Sequence, residues 1–187
     1  MILPIVVYGD PGLRKETQNI TSNYPEFKTI IENMFETMYN AKGVGLAAPQ
    51  IGLPISIFII DSTEMEEDAD KDKGVKQTFI NAEILEFTGE DCVFSEGCLS
   101  IPEIHEDVTR KSKILIRYRD KDFIERVDAF EGMPARVIQH EYDHIIGKTF
   151  VEHLSPLKKT LLKRKLNDIS TGKKTTFYKT KSNKSNK

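Results

Sequence analysis

The spacing of apolar and polar residues divides the chain into segments of different period. Residues 24–42 carry the clearest helical signature: Phe27, Ile30, Ile31, Met34, Phe35, Met38 and Tyr39 recur at spacings of three and four, one continuous apolar stripe. Thr21, Ser22 and Asn23 offer caps before it, and Gly43 a stop after it. The period then shortens. Residues 55–60 are almost continuously apolar and end in Asp61-Ser62, the pattern of a buried strand. Shorter strand-like runs follow at 78–81, 84–87 and 92–95, and 113–119 with 123–130 predict a hairpin about Asp120-Lys121-Asp122. A second helix is bracketed by Gly132, Pro134 and Gly147. A third opens at Ser155-Pro156 and carries Leu157, Leu161, Leu162, Leu166 and Ile169. The sum is an α+β fold, a single compact domain of mostly antiparallel strands with an N-terminal, a central and a C-terminal helix.

Length agrees with that: 187 residues at 39% apolar content supply one core, and no repeat or Pro- or Gly/Ser-rich linker divides them. Beyond about Ser170 the composition turns to Lys, Ser, Asn and Thr, which predicts a domain over 1–170 and a disordered lysine-rich tail over 171–187. A formal net charge of −2 gives no overall pull toward nucleic acid or an acidic membrane, so neither sequence-specific nucleic-acid binding nor membrane association is expected. Charge is uneven locally: residues 61–73 hold seven acids against two lysines, and 171–187 hold six lysines and no acid. The acidic stretch around 62–77 reads as a solvated surface loop. No run of 18 apolar residues is present, and Met1–Val7, apolar without a basic start, is not read as a signal peptide. Two cysteines make no disulfide scaffold, so a reducing, cytoplasmic setting is expected, with Cys92 a buried thiol.

The candidate chemistry lies in three places. Gln139-His140-Glu141-Tyr142-Asp143-His144 contains His-Glu-x-x-His in the predicted second helix. Residues four apart on a helix lie about 40° apart around the axis, so both imidazoles face one side and suit a shared cation. Glu141 sits beside that face, placed to handle a proton rather than to ligate. A catalytic divalent ion usually takes three protein ligands and keeps one position open. Glu152 and His153 match no ligand spacing and read as surface residues, and His105 and Glu106 follow a turning segment. Cys98, beside Gly97 and just after a strand-like run, stands out as a thiolate ligand, with a buried structural thiol as the alternative. The third place is Gly43-Val44-Gly45-Leu46-Ala47-Ala48-Pro49-Gln50, whose small residues permit close backbone approach and whose Gln50 offers a donor and an acceptor. It lacks the Lys and Ser/Thr of a phosphate loop.

In order, residues 43–50, Glu96-Gly97-Cys98-Leu99-Ser100 and 139–144 resemble the three motifs of peptide deformylases, and Tyr8-Gly9-Asp10-Pro11-Gly12-Leu13-Arg14 is similar to that family's start. The resemblance covers roughly residues 4–155. It implies an enzyme that removes the formyl group from the N-terminal formylmethionine of newly synthesised polypeptides and releases formate. Cys98, His140 and His144 would hold one Fe²⁺, for which Zn²⁺, Ni²⁺ or Co²⁺ may substitute. Gln50 and the Leu99 N–H would stabilise the oxyanion, while Glu141 would take a proton from water and pass it to the leaving amine. Gly43, Val44, Gly45, Gly97, Met133 and Val137 would line the peptide site. The lysine-rich tail lies outside the family pattern and is expected to add little to the fold; its six lysines offer, as a second reading, a weak contact with the ribosome. His105, where many members have arginine, and Ile145-Ile146, where leucine is common, depart from the pattern in ways that bear on substrate fine-tuning. A His-Glu-x-x-His endopeptidase would recruit a further His or Glu in place of the Glu-Gly-Cys-Leu-Ser element, and a closed structural site would need a fourth protein ligand.

Overall fold

A computed structural model describes residues 1–63 and 74–182. Its frame is a five-stranded sheet of β2 (Gly45–Ala47), β3 (Ile57–Asp61), β4 (Lys76–Cys98), β5 (Ile101–Arg119) and β6 (Glu125–Glu131), in that spatial order with every neighbour antiparallel. The continuous apolar run becomes β3, with Ile57, Phe58, Ile59 and Ile60 fully buried. Phe58 stacks on Phe79 of β4 with centroids 4.7 Å apart, locking the two strands by aromatic contact as well as by the ladder.

The runs at 78–81, 84–87 and 92–95 are parts of one long strand, β4, whose register slips between Ile80 and Glu83, Ile84 and Glu86, and Thr88 and Asp91. Residues 85–95 of this strand are exposed, so hydrogen bonds to β5 rather than burial keep it extended. Cys92 lies on this stretch and is exposed, against the expectation of a buried thiol. The ends of the acidic loop are joined by the Ser62 N–H donating to the Val75 carbonyl at 2.9 Å; the acidic residues 64–73 lie outside the described residues.

Three helices cover the sheet. In α1 (Phe27–Asn40) the apolar stripe places Phe27, Met34 and Met38 against Leu46, Ile57 and Ile59. The helix starts after Glu26 at φ 54°, with no side-chain cap, so the predicted Thr21–Asn23 caps lie too early. Its far end closes where the Gly43 N–H donates to the Met38 carbonyl at 2.9 Å. α2 (Gly132–Ile145) carries Pro134 in its first turn and packs Ala135, Ile138 and Ile145 on Phe58, Ile60, Phe79 and Ile116, which makes it a nearly buried central helix. α3 (Pro156–Ser170) begins as expected, Ser155 Oγ accepting from the Lys158 N–H at 3.3 Å. Leu162, Leu166 and Ile169 face the core, whereas Leu157 and Leu161 are 69% and 72% exposed, so the inward stripe is shorter than the pattern predicted.

The tail differs from expectation. Through Ser182 it is placed on the body rather than free: β7 (Thr180–Lys181) pairs in parallel with β1 (Ile5–Val6), and the Tyr178 hydroxyl donates to the Leu99 carbonyl at 2.8 Å. What holds it is the aromatic Tyr178, packed beside Leu99, and a backbone able to complete a two-stranded ladder.

Candidate active site

α2 brings His140 and Glu141 to the floor of a cavity of about 530 Å³, with His144 buried one helical turn beyond His140. Cys98 reaches the same floor from the two-residue Leu99-Ser100 connection between β4 and β5, where Cys98 pairs with Ile101. Its Sγ lies 3.3 Å from His144 Nε2, and the ligand atoms of Cys98, His140 and His144 fall within 4.8 Å of one another. The two imidazoles stand at 76° with centroids 5.4 Å apart. One thiolate and two imidazoles so close suit a first-row divalent ion with a position left open.

Among the described residues this group has three members. The exposed Cys92 and His153 and the half-buried Glu152 stand outside it, and no fourth ligand joins the group among the described residues. Glu152 instead caps the turn at Thr149 and pairs with Arg14, and His153 Nε2 meets Asp143 Oδ2 at 2.8 Å. His105 also lines the cavity, its ring lying over Gly97, where an added Cβ would come within 2.6 Å of His105 Nε2.

The ring orientation of His140 has a cause that the sequence concealed. Glu96, buried at the end of β4, accepts from Arg110 Nε at 2.7 Å and Arg136 Nη1 at 2.9 Å, and its other oxygen lies 3.0 Å from His140 Nδ1. With Nδ1 engaged by a carboxylate, His140 Nε2 is the nitrogen left for a metal. Burial alone would raise the Glu96 carboxyl, but its bonds with His140 and Arg110 hold it well below the usual carboxylate range. Arg110 also pairs with Asp143 at 2.9 Å, so two buried acids meet two buried arginines and charge is balanced beneath the site. The Glu-Gly-Cys-Leu-Ser motif contains Glu96, yet its arginine partners lie 14 and 40 positions away, beyond any local pattern.

The remaining groups converge on the open side. Glu141 is buried, and its Oε2 has no hydrogen-bond partner among the described residues; the same holds for His144 Nδ1. An orphaned carboxylate oxygen is expensive unless solvent or substrate meets it, which fits a group that exchanges a proton there. Burial pushes the Glu141 carboxyl up to about 7, with the charges of His140 and His144 opposing; a cation alongside would draw it down further. The Cys98 thiol is pushed up by burial, but His144 and His140 outweigh that and hold it at about 5, favouring thiolate.

Gln50 is held by the Ala47 N–H donating to its Oε1 at 2.7 Å, and its Nε2 points to Ser100 Oγ at 3.2 Å and Cys98 Sγ at 3.6 Å. Gly45 passes so near α2 that an added Cβ would lie 2.4 Å from Glu141 Oε1, displacing the acid. The expected peptide-site residues Gly43, Val44, Gly45, Gly97, Met133 and Val137 all line this cavity. Absent from the sequence-based set are Arg110, which braces Glu96 from behind, and Glu96, Arg136 and residues 175–178, which line the cavity.

Known proteins place this arrangement. The family described as polypeptide deformylase matches residues 2–160. A peptide deformylase of Flavobacterium johnsoniae is 55% identical, covering 97% of this chain and 96% of its own. The crystal structure of a peptide deformylase from Legionella pneumophila is 36% identical with a TM-score of 0.78, covering 92% of this chain and 98% of its own. That from Thermotoga maritima is 39% identical with a TM-score of 0.73, covering 83% and 99%.

Proposed function

The chain belongs to the polypeptide deformylase family, metal-dependent enzymes that remove the N-formyl group from nascent peptides, and from that premise we propose that Cys98, His140 and His144 hold its ion, Fe²⁺, with Zn²⁺, Ni²⁺ or Co²⁺ able to replace it. The observation that carries the assignment is the meeting of three soft-to-intermediate donors beside the unpartnered Glu141 Oε2. A divalent ion held by Cys98, His140 and His144 would supply Lewis acidity toward the formyl oxygen and make water a usable nucleophile near neutral pH.

The chain's own residues do the rest. Glu141 takes the proton of the attacking water through the oxygen that no protein donor occupies, then returns it to the amine nitrogen as the C–N bond breaks and formate leaves. Gln50 Nε2, fixed by its Oε1 contact with the Ala47 N–H, donates to the developing oxyanion together with the Leu99 backbone N–H. Gly43, Val44 and Gly45 line one side as a strand edge for the peptide backbone, with Gly97 opposite, and Met133 and Val137 offer an apolar seat for methionine. Glu96 keeps His140 turned toward the ion.

Formyl peptides arise where translation occurs, so the proposed compartment is the cytoplasm. No described helix is long and apolar enough to cross a membrane. The proposed ribosome contact is weak and rests on the tail lysines; salt-sensitive ribosome binding lost on removing residues 171–187 supports it, and binding unchanged by that removal eliminates it.

The test of the site is formate release from a formylmethionyl peptide and its acetyl counterpart, after anaerobic purification and elemental analysis. The expected result is turnover of the formyl peptide with one iron per chain. Turnover without a transition metal removes the assignment.

A further inference from the structure

Deepening the deformylase reading of this cavity, on which it rests, we infer that residues 173–182 form a strap that walls the outer end of the cleft, and that Phe177 selects peptides bearing an apolar side chain downstream of formylmethionine. One continuous cavity has Cys98, His140 and Glu141 on its floor and Thr175, Thr176, Phe177 and Tyr178 on its wall. A formylated methionine seated with its formyl group on the floor sends the following residues outward along that wall.

The strap is tied on both sides of this span. At its start, Gly172 turns the chain at φ 69°, the Lys173 N–H donates to the Asp168 carbonyl at 2.9 Å, and Lys174 Nζ meets Glu103 at 2.6 Å. At its end, the Ile5 N–H donates to the Lys179 carbonyl at 2.8 Å and the Val7 N–H to the Lys181 carbonyl at 3.1 Å. Between them the Tyr178 hydroxyl takes the Leu99 carbonyl at 2.8 Å, and the Tyr178 ring packs into the cluster around Met34, Leu46 and Leu99. A segment held at three places is a fixed wall rather than a loose end.

Phe177 is the exception within it. Its ring is 70% exposed, edge-on to Tyr178 at 5.1 Å and capped on one side by Lys42 Nζ at 5.6 Å, so an oriented aromatic face lines the cleft with much of its surface bare. An apolar side chain laid on that face removes the exposed area of both partners from water, whereas a hydroxyl or carboxylate gains nothing there. The matched family region ends at residue 160, so this discriminating element lies outside it.

The experiment compares two formyl peptides, formyl-Met-Ala-Leu amide and formyl-Met-Ala-Ser amide, on the iron-loaded full chain, Phe177→Ala, Phe177→Leu and a chain ending at Gly172. The intact protein should prefer the leucine peptide through KM. Phe177→Ala and the truncation should each shrink that preference threefold or more, and Phe177→Leu should keep most of it. Phe177 is exposed, so its variants test the inference even if the truncated chain does not fold. Calorimetric binding of the uncleaved acetyl peptides reads the same preference without turnover, which separates this inference from the deformylase reading: no formate release defeats the latter alone. Equal affinity of the intact chain for both peptides, or a preference unchanged in Phe177→Ala, overturns the strap's role.

Discussion

Glu96 Oε2 lies 3.0 Å from His140 Nδ1 while the same carboxylate receives Arg110 and Arg136, so one buried acid both orients the proposed ligand and, together with Asp143, balances two buried arginines. Glu96→Gln should therefore do two separable things. Metal affinity should fall by about 10–100-fold, as when a ligand's supporting group is lost, read by competition with a chelator. The fold should lose about 3–5 kcal/mol in urea unfolding, because two arginines stay buried with one carboxylate fewer. A variant with normal metal retention would show that His140 is oriented by packing alone.

Glu141→Gln should keep the metal and lose about 10²–10⁴ of kcat, since the amide preserves size and polarity but cannot accept and return a proton. Metal content and formate release on the same sample check it. Loss of metal from a folded Glu141→Gln protein contradicts a purely proton-handling role.

Both residues bear on how far the chain could be read in advance. His140, Glu141 and His144 were legible because helical spacing alone places them, and Pro134 and Ser155-Pro156 mark helix starts that the structure reproduces. What escaped was long-range or unburied. Arg110 and Arg136 are surface-type residues by composition, buried only because Glu96 meets them across the fold. β4 appeared in fragments because residues 85–95 are exposed, so no alternation of burial records a strand held by its ladder. Leu157 and Leu161 continue an apolar stripe that no described residue covers, and Tyr178 finds its partner 79 positions back at Leu99.

Cys98→Ser should bind metal poorly, because an alcohol is seldom ionised near neutral pH, and turnover should fall with metal content. The iron-loaded parent should lose activity in air as ferrous ion and then sulfur oxidise, while nickel- or cobalt-loaded protein should hold its activity. Full occupancy and a normal rate in Cys98→Ser would leave the site without its third ligand.

Acid should weaken the contact of the N-terminal segment with the Thr149 turn. Burial would raise the Glu152 carboxyl, but hydrogen bonds from Thr149 and the charge of Arg14 lower it below its ordinary value of 4.5. A carboxyl depressed on folding contributes stability that is present above the unfolded pKa and lost as pH falls through the folded one. The Arg14 pair is partly exposed, so Glu152→Gln should cost up to about 1 kcal/mol at neutral pH. That difference should shrink below pH 4.5 and vanish in stronger acid. Urea unfolding of both proteins across pH 3–7 measures it; a constant difference assigns the effect to the cap alone.

The pairing of β1 with β7 joins the first strand to the last among the described residues. During synthesis from the N-terminus, Ile5 and Val6 emerge early and wait, unladdered on that side, until Thr180 and Lys181 leave the exit tunnel. The five-stranded sheet, the proposed metal ligands and the proposed peptide edge all precede residue 145, so the candidate centre is complete in the chain before residues 175–178 of the cavity wall exist. Within the family's own task of acting on unfinished proteins, residues 175–178 of the cleft wall are thus made after every residue proposed to hold the metal.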